Sequence, residues 1–156
     1  MVLVRLMFKA DLENVTNVTV SDPGARWYFM IQCTQCGWEH DKEVFLVLNE
    51  LHDIEGSRGT ANLVMKCKQC KRNMTASYKD GSKKSYNADH SGAFAPLVTL
   101  ELRGCELVKY IPRHEFSCQG ATSEKAFEDV DLTDGDWCDY DDDANDSVGI
   151  YNIESR

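Results

Sequence analysis

The sequence predicts a mostly β protein with sandwich-like or barrel-like sheets, and three observations carry that expectation. Apolar residues alternate with polar ones in several short stretches, the period-two signature of a strand with one buried face. Only two segments, Leu46 to Ile54 and Ser123 to Val130, carry a pattern that a short helix could use. Two Cys-x-x-Cys units are each placed immediately after a predicted strand, as expected of turns at strand ends.

Taken in order, Val2, Val4, Leu6 and Phe8 alternate with mixed positions and give the first strand. Trp27, Phe29 and Ile31 give another before the first cysteine pair, and Val44 to Leu48 is a short continuous apolar run. Met74, Ala76 and Tyr78 alternate again up to a turn at Asp80-Gly81-Ser82. Further strands are expected at Val98 to Leu102, Leu107 to Ile111 and Val148 to Ile153. When the chain is slid by 94 residues, Leu3 to Ala10 lies over Leu97 to Gly104 with matching alternation. Two related halves would produce this match, and so would any two amphipathic strands.

The 156 residues, 42% of them hydrophobic, suffice for one core, since a domain of this length hides roughly 70% of its unfolded surface. The expectation is a single β domain over 1–156. If the repeat is real, it comprises a zinc-bearing half, 1–94, and an acidic half without zinc, 95–156. The first nine residues meet charge too early for a secretory signal, and no run approaches the roughly 20 apolar residues that span a bilayer. The expected location is therefore cytoplasmic, with the nucleus also open, and no membrane is expected as a partner. The four Asn-x-Ser/Thr sequences at Asn14, Asn17, Asn73 and Asn145 are read as turn residues.

Charge is unevenly spread. Residues 1–123 hold 15 Lys and Arg against 14 Asp and Glu, whereas residues 124–156 hold 2 against 12. No basic stripe is available for a phosphate backbone, so no nucleic-acid partner is expected. The acidic stretch contains Asp139 to Asp146, which resembles a calcium loop. It has Ala144 where glycine is required and lacks the closing glutamate, so that reading fails. Trp137 and Tyr140 within it point to packing rather than disorder.

Seven cysteines in a reducing compartment argue for metal binding or catalysis over a disulfide framework. Cys33-Thr34-Gln35-Cys36-Gly37 and Cys67-Lys68-Gln69-Cys70 are spaced so that each turn aims two sulfurs at one point, about 2.3 Å from a zinc ion. Two such turns complete a tetrahedron, the ion clamping two hairpins remote in sequence. Gly37 suits the left-handed position after the second ligand, with Asn73 as a looser counterpart in the second turn. Lys66, Lys68, Lys71 and Arg72 read as compensation for thiolate charge. Redox-active pairs and disulfides compete with this reading, but neither pair opens a helix that would activate a thiolate. Four protein ligands leave no open coordination position, so one structural zinc is expected.

Cys105, Cys118 and Cys138 lack a fixed partner spacing and read as packing residues. Cys118, beside a four-cysteine site, resembles the arrangement in zinc-bearing methionine sulfoxide reductases, without their Arg-x-Cys nucleophile context. His40, His52, His90 and His114 are dispersed and read as structural or surface residues.

Beyond the cysteines, the chain resembles the eukaryotic CXXC-motif-containing zinc-binding proteins over nearly its whole length. The resemblance rests on Ala10 to Asn17, Arg26-Trp27-Tyr28, Gly56 to Ala61 leading into the second cysteine pair, and Tyr86 to Asp89. It continues through Leu102-Arg103-Gly104, Asp136 to Asp141 and Ser147 to Tyr151. It implies two pseudo-symmetric β halves and zinc ligands at Cys33, Cys36, Cys67 and Cys70. It implies no established enzymatic activity. The expected function is therefore a non-catalytic binding or adaptor module that meets a basic or metal-handling protein through residues 124–146. Two further readings stand beside it: exchange of Zn or Cu(I) with a chaperone, and a thiol-dependent reductase using Cys118 or Cys105.

Overall fold

The structure, a computed structural model, describes residues 2–20 and 24–156. Among the described residues fourteen strands follow one another: β1 (Val2–Glu13), β2 (Val15–Val20), β3 (Arg26–Cys33), β4 (Val44–Val47), β5 (His52–Asp53), β6 (Thr60–Ala61), β7 (Leu63–Lys66) and β8 (Asn73–Tyr78). After a single 3-10 turn at Ala88–His90 come β9 (Ala95–Arg103), β10 (Cys105–Ile111), β11 (Phe116–Gly120), β12 (Ala126–Val130), β13 (Trp137–Asp141) and β14 (Asp146–Ser155). No α-helix occurs among the described residues.

A curled six-stranded sheet, ordered β13-β14-β1-β9-β8-β7, is flanked by two three-stranded sheets, β10-β3-β4 and β12-β11-β2. Exchanging β1 with β9, β2 with β10, β3 with β11, β4 with β12, β7 with β13 and β8 with β14 reproduces the large sheet in reverse and turns one small sheet into the other. The halves are pseudo-symmetric and interwoven, because β2 pairs with β11 and β10 with β3. At the corner where β1 turns into β2, Asn14 takes φ 56°; Gly104, between β9 and β10, takes φ 76°. Those two residues lie 90 apart, so the structural equivalence at this corner is four residues short of the 94-residue offset.

The inner faces bury one contiguous apolar cluster from the large sheet and both three-stranded sheets; β5 and β6 form a separate two-stranded sheet. Phe8 lies edge-on to Tyr86 at 5.0 Å and stacks on Phe116 at 6.1 Å. The fully buried Tyr86 hydroxyl donates toward the carbonyls of His90 and Ala93, both at 2.6 Å, and accepts the N–H of Ala10. Each such side chain contributes about 1.5–3 kcal/mol on burial. Phe8→Ala would cost about 3–5 kcal/mol because a cavity is left behind.

Both segments with helical pattern are strands and turns. In 46–54, the buried Asn62 amide donates to the carbonyls of Val47, Leu48 and Glu50 at 3.1, 3.2 and 2.9 Å. Those acceptors are thereby satisfied without helical i+4 donors. In 123–130, the three-residue interval between Phe127 and Val130 looks like one helical turn. Asp129 instead takes φ 54° and forms a bulge, so that Phe116 faces Val130 and Cys118 faces Phe127. Asn17 and Asn152, with φ 56° and 54°, sit at the register shifts of β2 and β14. Asn14, Asn17 and Asn145 thus hold left-handed positions, whereas Asn73 opens β8.

Candidate metal centre

The first Cys-x-x-Cys unit starts at the last residue of β3, in a small sheet, and the second joins β7 to β8, in the large sheet. In the first turn Gly37 N–H donates to the Cys33 carbonyl at 3.0 Å, and Cys33 N–H donates to that of Trp38 at 2.9 Å. The second turn repeats the pattern, Lys71 N–H to Cys67 and Cys67 N–H to Arg72, both at 2.9 Å. The residue after the last cysteine is left-handed in both: Gly37 at φ 77° and Lys71 at φ 66°. Lys71, not Asn73, holds the position in the second turn, because the backbone geometry is set one residue after the cysteine.

These turns bring all four sulfurs within 4.8 Å of one another. Two contacts run between turns, Cys33 to Cys70 at 3.6 Å and Cys36 to Cys67 at 3.5 Å. A tetrahedron with legs of about 2.3 Å has edges of about 3.8 Å, so the four donors fit a zinc-sized ion. Cys33 and Cys67 are buried, Cys70 is half-buried and Cys36 is exposed. Among the described residues no histidine joins the group.

The backbone prepares the sulfurs for negative charge. N–H groups of Cys70 and Gln69 favour the Cys67 thiolate and draw its pKa down to about 6; those of Cys36 and Gln35 lower Cys33. At Cys36 the Trp38 N–H pulls the same way, but burial and the other three sulfurs outweigh it and push the thiol up to about 12. Four thiols this close cannot all ionise unaided, and a cation among them removes that conflict. The lysines serve other partners: Lys66 pairs with Glu55 at 2.8 Å, Lys68 with Asp41 at 3.6 Å, and Lys71 donates to the Lys68 carbonyl at 2.9 Å. Backbone amides, rather than lysines, offset the sulfur charge.

The remaining cysteines stand apart. Cys105 is the cross-strand neighbour of Cys33 and lies buried against the Thr75 carbonyl, with burial pushing its thiol up to about 11. Burial, then Asp139 and Glu128, push Cys118 up to about 12. Neither offers a thiolate at neutral pH. Cys138 is exposed on β13. His40 is buried beside the Trp38 ring, 5.2 Å between centroids, while His52 and His114 are exposed and His90 half-exposed. A largely apolar cleft of about 340 Å³ between β4 and β7 is lined by Val44, Leu46, Leu63 and Met65 among others, none of them cysteine.

Sequence reading missed Asn62. Its side-chain oxygen accepts the Tyr78 N–H at 2.7 Å while its amide holds the turn after β4. It thus fixes the long connection between the two cysteine turns. A lone asparagine between short strands carries no motif that would have flagged it.

The model of a family described as CXXC motif containing zinc binding protein, eukaryotic, matches residues 5–156. The Homo sapiens protein called CXXC motif containing zinc binding protein is 38% identical over 150 residues, covering 96% of this chain and 94% of its own. Its namesake from Xenopus laevis is 36% identical over 156 residues, covering 100% and 98%. Among solved structures, the crystal structure of C1orf123 superposes with a TM-score of 0.93 at 37% identity, covering 99% of this chain and 98% of that one. A hypothetical protein from Plasmodium falciparum gives 0.88 at 29%, covering 100% and 99%.

Proposed function

Since the chain belongs to the eukaryotic family of CXXC-motif-containing zinc-binding proteins, we propose that it is a non-catalytic binding module of the cell interior, held in shape by one structural zinc. Cys33, Cys36, Cys67 and Cys70 are the ligands. Tetrathiolate zinc exposes no position for water or substrate, so the ion supplies folding energy rather than Lewis acidity. By joining β3 to the β7–β8 turn it ties a small sheet to the large one.

The binding surface is the acidic stretch 124–146. The observation that carries this is exposure: Glu128, Asp134, Asp136, Asp139, Asp142 and Asp143 all face solvent around Tyr140, which is 47% exposed. Trp137 beneath them packs edge-on against Phe127 at 5.6 Å, so the stretch is an ordered face rather than a tail. An ordered acidic face with an accessible aromatic ring suits a basic protein segment, with the ring adding cation–π attraction for lysine or arginine. A lysine-rich peptide titrated against the protein should broaden or shift backbone amide signals of β12 and β13, and do so less as salt rises. Shifts spread evenly over the molecule would refute this placement.

A second reading has one observation in its favour. Cys36 is exposed at the rim of the cluster, which gives an incoming thiol a way to take the ion in a handover. Native mass spectrometry during mild chelation decides between the two: zinc retained for hours supports a structural role, and rapid replacement by Cu(I) supports metal handling.

A further inference from the structure

The acidic half contains a second pair of turns at the places that the cysteine turns occupy in the other half. The β11–β12 connection corresponds to the turn after β3, and the β13–β14 connection to the turn between β7 and β8. The correspondence extends to single hydrogen bonds. Where Gly37 N–H donates to Cys33 and Cys33 N–H to Trp38, Glu124 N–H donates to Gly120 at 3.0 Å and Gly120 N–H to Lys125 at 2.8 Å. Where Thr34 N–H reaches the carbonyl of Gly104, Ala121 N–H reaches that of Asn14 at 2.9 Å. The left-handed positions recur at Glu124 (φ 60°) and Asn145 (φ 55°).

This alignment puts Gly120 and Ser123 at the positions of Cys33 and Cys36, and Asp141 and Ala144 at those of Cys67 and Cys70. At two of the four positions the hydrogen bonds match as well. The Cys67 sulfur receives the N–H groups of Cys70 and Gln69; the Asp141 carboxylate receives those of Ala144 and Asp143, at 3.2 and 3.0 Å. The Cys36 sulfur receives Trp38 N–H; the Ser123 hydroxyl oxygen receives Lys125 N–H at 3.1 Å. Cys36 and Cys67 face each other across the gap between turns, and across the same gap the Ser123 hydroxyl donates to Asp141 Oδ2. Asp141 is 1% exposed, the one fully buried carboxylate among the described residues. A Cβ added to Gly120 would run into the Asp141 carboxylate and the Ser123 hydroxyl, so glycine stands where Cys33 projects into the cluster.

We infer that these two turns are an ion-free counterpart of the cysteine cluster, in which the Asp141–Ser123 pair makes the tie between sheets and Gly120 leaves the space that pair fills. Gly120 and Ala144 offer no donor atoms, so the native site takes no metal. Its backbone nonetheless retains the shape of a tetrathiolate zinc site, and restoring the four sulfurs restores zinc binding.

The full-length chain carrying Gly120→Cys, Ser123→Cys, Asp141→Cys and Ala144→Cys tests this. Native mass spectrometry after expression with zinc should show one more ion than the unaltered chain binds. A folded variant with no extra ion overturns the inference. The unaltered chain reports separately on the cysteine cluster, so failure of that reading is distinguishable. Should the fourfold variant not fold, amide hydrogen exchange on Asp141→Ala decides. Amides of residues 120–125, in the opposite turn, should lose protection together with those of 143 and 144. Loss confined to the β13–β14 turn would show that no tie exists.

Discussion

Two pairs of turns occupy equivalent places in the interwoven halves, and they are joined by different chemistry. In one, four sulfurs converge within 4.8 Å and suit an ion; in the other, a buried carboxylate accepts a serine hydroxyl and two backbone N–H groups. What the fold requires at both places is a tie between a small sheet and the edge of the large one. Backbone amides aimed at the second turn are the shared device, since they favour negative charge whether on sulfur or on oxygen. Four thiols this close need a cation before all can ionise, and the nearby lysines are engaged by Glu55 and Asp41. The Asp141–Ser123 pair needs no cation, so the surface around it is free to be acidic.

The difference should be largest when the tie itself is removed. Cys67→Ser takes away a buried sulfur of the cluster that also receives two backbone N–H groups. Structural zinc contributes on the order of 10 kcal/mol of folding energy in small zinc peptides, and a chain with its own core should lose a sizeable part of that. Metal content falling to zero together with a marked drop in Tm is the expected result. Retention of both would break the comparison at its stronger side.

Acidification separates the two ties by their protons. Each pH unit below the thiol range sets up to four protons against one zinc, about 5 kcal/mol per unit, so an affinity of about 10–16 kcal/mol at pH 7 is exhausted by about pH 5 to 4. Asp141 behaves oppositely in range: the Ser123 hydroxyl, then the Ala144 and Asp143 amides, hold its pKa below the usual carboxylate value. A depressed folded pKa means a contribution fully present above the unfolded value of about 3.9, lost only as pH falls through the lower folded one. Amide signals of Gln69 and Cys70 should therefore change before those of Asp143 and Ala144 in a pH titration followed by NMR. Simultaneous change would indicate global unfolding and remove the distinction.

Gly120→Ala should come next in size. The new methyl must displace the Asp141–Ser123 pair, and overpacking of this kind costs about 1–3 kcal/mol. Chemical denaturation read by tryptophan fluorescence measures it, with zinc content unchanged as the control. Ser123→Ala should cost less than Gly120→Ala, because Asp141 keeps its two backbone donors.

The cysteine turns were legible because Cys-x-x-Cys after a strand leaves few alternatives, and β1, β3, β8, β9 and β14 because period two survives over most of their length. β2 and β11 were not anticipated. Each is short, each finds its partner in the other half, and the bulge at Asn17 breaks the alternation of β2. β12 looked helical because the Asp129 bulge spaces Phe127 and Val130 like a helical turn. From sequence, the Asp139 to Asp146 stretch reads as part of an acidic surface for a basic partner. One of its carboxylates is in fact buried inside a hairpin, and nothing in a run of aspartates says which. The only sequence trace is the shared spacing, Gly120-x-x-Ser123 and Asp141-x-x-Ala144, the second followed by Asn145, a residue type that tolerates a left-handed backbone.

That buried carboxylate also dictates how the acidic face must be probed. Neutralising Asp141 along with its neighbours would confound binding with folding, because its oxygens hold both turns. Asp139→Asn, Asp142→Asn and Asp143→Asn combined change only exposed side chains. Surface changes of this type move stability by about 0.5 kcal/mol or less each, and loss of the exposed Lys125–Asp142 pair at 3.7 Å adds little. The triple variant should melt within a few degrees of the parent and keep its zinc, while its affinity for a lysine-rich peptide at low salt falls several-fold. If affinity holds although these three charges are gone, the acidic surface is only the solvated exterior of the carboxylate tie, and the binding role must be sought elsewhere on the molecule.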